Sequence, residues 1–220
     1  MTSPKYLVEF AGSLFLAMIV IGSGIMGEQL SNGNVAVALL ANSLATGFGL
    51  IVIILAFGPI SGAHFNPAVT LVSYFDKSLI AKEALNYIIF QILGMLIGVW
   101  ITHIMFGHQI FEISTKERNQ FSLYFSEFVA TFGLITTIRF VSHSHKNLTP
   151  FAVAAYIASA YWFTSSTSFA NPAITIARTF TNTFAGINYS ATIQFIIFQL
   201  IGTVLAEVFY RKTIGVAQCK

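Results

Sequence analysis

Charge is what this chain has least of. Asp, Glu, Lys and Arg make up 9% of its 220 residues, where a soluble domain carries roughly 25%. Hydrophobic residues make up 55%, and the mean hydropathy is +0.76. Those values exclude an ordinary soluble domain and imply an integral membrane protein, read as a single transmembrane domain over 1–220. Cysteine is nearly absent too. The single Cys219 rules out an internal disulfide and a cysteine-based metal site. The net charge of +3 is spread along the chain. With no basic run, nothing marks a nucleic-acid partner. No activated nucleophile, metal-ligand cluster or phosphate loop is visible. The expectation is therefore no enzyme, no catalytic residue, no cofactor and no metal. His143 and His145 share a short polar loop without further ligands, and are read as solvated.

What is present is a set of apolar runs of membrane length. A bilayer-spanning helix needs about 20 apolar residues. Six spans are read, at about 6–26, 35–57, 84–105, 121–141, 148–163 and 189–210, with Gly58-Pro59 stopping the second. Residues 1–5 lead straight into the first, and no small-residue cleavage site marks a leader. Two further apolar stretches are too short to cross. Each opens with the same triplet: Asn66-Pro67-Ala68 and Asn171-Pro172-Ala173. Asn caps a helix, and Pro fits its first position because that N–H has no helical partner. Each triplet is expected to start a half-helix. A helix N-terminus at membrane depth is tolerated where it lines a watery cavity, so two surface turns are the weaker reading.

The triplets belong to a longer repetition. Glu9-Phe10 in span one returns as Glu127-Phe128 in span four, and 88–91 in span three (Ile-Ile-Phe-Gln) returns as 196–199 in span six. The order span, span, half-helix, span thus occurs twice, in halves of about 1–110 and 111–220. Three crossings per half make the repeat inverted, with a solute path expected near the midplane. If both termini are cytoplasmic, most Lys and Arg residues lie inside, and only Lys116, Arg118 and Arg178 lie outside. Gly94 and Gly98 are spaced for close helix approach. Glu207 is read as solvated near the cytoplasmic end.

Two Asn-Pro-Ala half-helices in a six-span inverted repeat resemble the aquaporin, or major intrinsic protein, family over essentially the whole chain. The resemblance implies an all-α bundle of six transmembrane helices and two re-entrant half-helices, a homotetramer in the plasma membrane, and passive permeation of small neutral solutes. It implies that the Asn66 and Asn171 amides donate to a passing oxygen and break proton hopping. It also implies that the carbonyls of Gly62, Ala63, His64 and Phe65, and of Thr167, Ser168, Phe169 and Ala170, form the acceptor ladder. Glu9 and Glu127 are costly intramembrane carboxylates. Their pairing across the repeat favours a role as half-helix anchors over proton coupling.

The chain departs from the family at the filter. An Arg usually stands three residues after the second Asn, and here that residue is Ile174. By the same resemblance the filter reads Thr46, Ser159, Ser168 and Ile174, without the bulky rings of water-selective members. A widened pore follows, for water and glycerol-like solutes. Analogy with a bacterial branch associated with arsenic resistance adds undissociated arsenite. The rivals are a proton-coupled transporter using Glu9 or Glu127, and a leaky ion channel. Arg178 lies four residues beyond Ile174 and shares its helix face. It is expected to point outward, toward solvent or toward Glu112 or Glu117, adding positive potential at the outer vestibule without forming the narrowest point.

Overall fold

The computed structural model describes residues 3–218; Cys219 and Lys220 lie outside the described residues. Among the described residues eight α-helices follow in order: α1 Pro4–Leu30, α2 Val35–Ser61, α3 Pro67–Phe75, α4 Ala81–Phe106, α5 Phe121–Ser144, α6 Thr149–Phe163, α7 Pro172–Ala177 and α8 Tyr189–Gln218. Local chemistry sets several of these limits. Pro4 opens α1, and the Asn34 side chain caps α2 by accepting from Ala36 N at 3.1 Å and Val37 N at 3.3 Å. Gly62 (φ 88°) and Gly107 (φ 70°) end α2 and α4 in the left-handed conformation that glycine adopts without strain. The expected stop at Gly58-Pro59 is corrected: α2 continues to Ser61. A proline near a helix C-terminus removes one backbone donor, and here the helix continues past it into the last turn.

Among the described residues, α1, α2, α4, α5 and α8 are each long and apolar enough to cross a membrane. The fifth of the six expected spans is shorter. α6 has 15 residues, about 22 Å at 1.5 Å each, and a 3-10 turn at Lys146–Leu148 precedes it.

Helices pair alike in both halves. α1 packs on α4 so closely that a Cβ at Gly94 would lie 2.2 Å from the Phe10 carbonyl oxygen, and one at Gly98 would lie 2.4 Å from that of Leu14. In the second half α5 packs on α8, where a Cβ at Gly202 would lie 2.6 Å from the Phe128 oxygen. Small residues at these crossings let backbones meet, which is how helices associate where lipid supplies no hydrophobic drive. At the end of α3, Asp76 and Arg139 form an ion pair, and Arg139 Nε lies 3.1 Å from the Glu207 carboxylate. Arg211 Nε lies 2.6 Å from the same carboxylate. Glu207 is therefore buried and paired rather than solvated; two guanidiniums from neighbouring turns and helices replace its water.

Candidate functional site

Each half-helix starts as its Asn-Pro pair dictates. Asn66 Oδ1 accepts from Ala68 N at 2.9 Å, and Asn171 Oδ1 accepts from Ala173 N at 2.9 Å. The amide nitrogens reach across the repeat. Asn66 Nδ2 donates to the Ala170 carbonyl at 2.8 Å, and Asn171 Nδ2 donates to the Phe65 carbonyl at 2.8 Å. The two N-termini thus meet, and each amide keeps one further N–H for a solute.

The loops leading to them are held by the repeated glutamates. Glu9 accepts from Ser61 Oγ (2.6 Å), His64 N (2.9 Å), Phe65 N (2.8 Å) and Gln91 Nε2 (2.8 Å). Glu127 accepts from Phe169 N (2.9 Å), Ala170 N (2.9 Å) and Gln199 Nε2 (2.5 Å). Gln91 and Gln199 then donate to Thr70 Oγ1 and Thr175 Oγ1, both at 2.9 Å, within the half-helices. The repeated Glu and Gln, with a Thr from each half-helix, therefore form one hydrogen-bonded chain per half. With both glutamates turned to backbone N–H groups, the loop carbonyls are left to face elsewhere. Ala63, Phe65, Thr167, Ser168 and Ala170 take positive φ between 47° and 64°. That conformation is strained for non-glycine residues and is kept only where the surroundings over-determine it.

The space left at this junction is a cavity of about 120 Å³. Leu16, Val20, Leu50, Ile54, Leu134, Val153 and Ile157 give it an apolar wall. Gly62, Ala63, His64, Phe65, Asn66, Ser168, Phe169, Ala170 and Asn171 line it from the loops; Thr167 does not. His64 is tied to the first half-helix, with Nδ1 3.1 Å from Thr70 Oγ1 and Nε2 3.3 Å from Ser73 Oγ. A narrow path with one greasy side and one side of oxygen and nitrogen atoms suits a small solute whose hydroxyls exchange water for protein.

A family model described as major intrinsic protein matches residues 2–210. The chain belongs to the major intrinsic protein family. Such proteins are channels, not enzymes. The chain is 43% identical to aquaglyceroporin AqpS of Rhizobium meliloti, covering 94% of this chain and 88% of that relative. It is 26% identical to a probable aquaporin, TIP2-2, of rice, over 94% of this chain and 85% of the relative. In fold it is similar to the X-ray structure of the aquaglyceroporin from Plasmodium falciparum, with a TM-score of 0.67, 22% identity and 96% of both chains covered. The architecture is the aquaporin-like helical bundle.

Within this major intrinsic protein, the filter positions read from the sequence divide. Thr46, Ser168 and Ile174 line the cavity. Ser159 does not: it is exposed on α6 and bonds to the Ala155 carbonyl one turn back. The correction is one of helix face. Val153, Ile157 and Tyr161 follow at steps of four and turn inward, whereas Ala155 and Ser159 turn outward. The residue missed by sequence reasoning is Tyr161. It is buried, lines the cavity, and places its hydroxyl 3.2 Å from Thr46 Oγ1. The i, i+4 step from Ile157, with Trp162 and Phe163 on the outer side, was the available signal.

The outward pose expected of Arg178 is also corrected. Its side chain is 3% exposed and lines the cavity. Nε donates to the Ala185 carbonyl, and the guanidinium carbon lies 3.3 Å from the centroid of the Phe169 ring. Glu112 instead accepts from Asn182 N at 3.1 Å. The acceptor that draws Arg178 inward lies in the loop after its own half-helix, where helical spacing carries no information.

Proposed function

We propose that this chain is a passive pore for water and uncharged polyhydroxy solutes of glycerol size, undissociated arsenite among them. In this reading it works as a homotetramer, with one pore per subunit, in the plasma membrane with both termini cytoplasmic. The observation that carries it is the meeting of two Asn-capped half-helix N-termini in a cavity with one apolar wall. Two helix N-termini, each worth roughly half a positive charge, disfavour cations at one plane, and the free amide hydrogens orient a passing oxygen. The name of the Rhizobium meliloti relative, an aquaglyceroporin, supports the solute class. The filter set of this proposal is Thr46, Tyr161, Ser168 and Ile174.

Glu9 and Glu127 are fully buried and bonded to loop donors, which supports anchoring over proton coupling. The test is stopped-flow light scattering of proteoliposomes challenged with water, glycerol, urea and arsenite in turn. Fast, non-saturating equilibration, indifferent to an imposed pH gradient, is expected. Saturable uptake that follows the gradient would replace the channel with a transporter.

A further inference from the structure

The family's usual filter cation is missing at Ile174, yet the cavity is not without one. We infer that Arg178 supplies it from one helical turn further along, and that Arg118 reinforces it from the outer loop. The inference rests on the channel reading above.

Ile174 and Arg178 line the same cavity. Arg178 follows directly on α7, as the first residue of a 3-10 turn Arg178–Phe180. Its pose is fixed on three sides. Nε is bound to the Ala185 carbonyl, the Phe169 ring lies under the guanidinium, and the Arg178 backbone carbonyl accepts from Ile187 N at 3.2 Å. The terminal nitrogens make no hydrogen bond among the described residues. They are left as donors on the cavity side.

Arg118 uses the same ring, its guanidinium carbon 5.1 Å from the Phe169 centroid. Its Nε donates to the Gly186 carbonyl at 3.1 Å and its Nη1 to the Ser166 carbonyl at 3.2 Å. Lys116 donates to the Phe184 carbonyl at 2.8 Å. Three consecutive carbonyls, of Phe184, Ala185 and Gly186, are therefore each held by a different cation. Among the described residues no carboxylate lies within salt-bridge reach of any of the three. Carbonyls and an aromatic face solvate these charges and no ion pair neutralises them, so their potential reaches the pore mouth. A hydroxyl-bearing neutral solute meets donors there, and a cation meets the Arg178 guanidinium at the cavity wall, with Arg118 behind it on the same ring.

The test uses full-length protein in liposomes, with potassium and proton leak measured beside glycerol flux in the same vesicles. Arg178→Ala should raise cation leak by about tenfold or more, the order expected when a unit charge a few ångströms from the path is removed from a low-dielectric pore. Glycerol flux in the same vesicles shows that the variant has inserted with an open pore. Ile174→Arg added to Arg178→Ala should restore exclusion. Should Arg178→Ala not insert, Arg178→Gln keeps a donor for the Ala185 carbonyl without the charge, and the same comparison applies. Leak at the parental level in a variant that still carries glycerol overturns the inference. A leak that Ile174→Arg does not reduce also overturns it, marking Arg178 as a loop clamp only. A parent that carries no neutral solute overturns the channel reading itself, which is a separate outcome.

Discussion

Replacing Glu9 by Gln tests the anchoring scheme because the structure fixes what the amide must face. Glu9 Oε1 receives Ser61 Oγ and His64 N, and Oε2 receives Phe65 N and Gln91 Nε2. A glutamine turns its NH₂ to one of these two pairs. Either way one backbone N–H, of His64 or of Phe65, loses its acceptor, and the second donor must rotate or flip. A buried orphaned donor costs about 1–3 kcal/mol, and each surviving bond loses about 1 kcal/mol when its acceptor is no longer charged. The total for Glu9→Gln is about 4–6 kcal/mol on that scale. At Glu127 the NH₂ can take the side that meets Phe169 N alone, leaving two bonds to weaken. Glu127→Gln should therefore cost about 1 kcal/mol less. For a chain of this size 1 kcal/mol corresponds to roughly 2–4 °C in melting midpoint, so Glu9→Gln should fall by roughly 10–20 °C. The assay is the thermal midpoint of detergent-solubilised protein, followed by fluorescence-detected size exclusion. Solute flux of the surviving protein should stay independent of a proton gradient. Midpoints of both variants within about 2 °C of the parent would refute the reasoning, as would a Glu127→Gln variant clearly worse than Glu9→Gln.

Asn66→Asp and Asn171→Asp each place a negative charge where two helix N-termini meet and remove the donor to the opposite loop carbonyl; both should lower yield and admit cations, read as proton leak in liposomes. Tyr161→Ala should open the constriction beside Thr46, raising glycerol and arsenite flux more than water flux; equal changes for all three solutes would mean that Tyr161 does not set the size limit. Lys116, an exposed residue in the loop before α5, has its pKa pushed down to about 8 by partial desolvation of its ammonium against the loop and by the neighbouring Arg118 and Arg178. Because the folded value lies below the unfolded one, stability should rise between about pH 8 and 10, where the fold no longer holds a disfavoured charge. Potassium exclusion should weaken between about pH 7 and 9, where the folded channel loses that charge. Lys116→Gln should flatten both pH dependences.

The sequence by itself determined the membrane class, the inverted repeat and the starts of both half-helices. These rest on composition and on contacts within a few residues. Asn before Pro closes its own cap, as Asn66 and Asn171 do. The pairing of Glu9 with Glu127 across the repeat pointed to anchoring, and their bonds to the loop N–H groups agree with it. The tertiary structure decided what depends on partners far along the chain. The start of α6 was legible, but its inward face was not, because one register step exchanges Ser159 for its neighbours and only the packing against α2 chooses Tyr161. Glu207 read as solvated because both of its guanidinium partners are brought to it by folding, Arg139 from α5 and Arg211 from the next turn. Arg178 turns inward because the Ala185 carbonyl and the Phe169 ring are waiting there. That loop is itself held by Lys116 and Arg118 from the other side of α5. A buried guanidinium goes where acceptors are assembled for it, and that assembly exists only once the chain has folded.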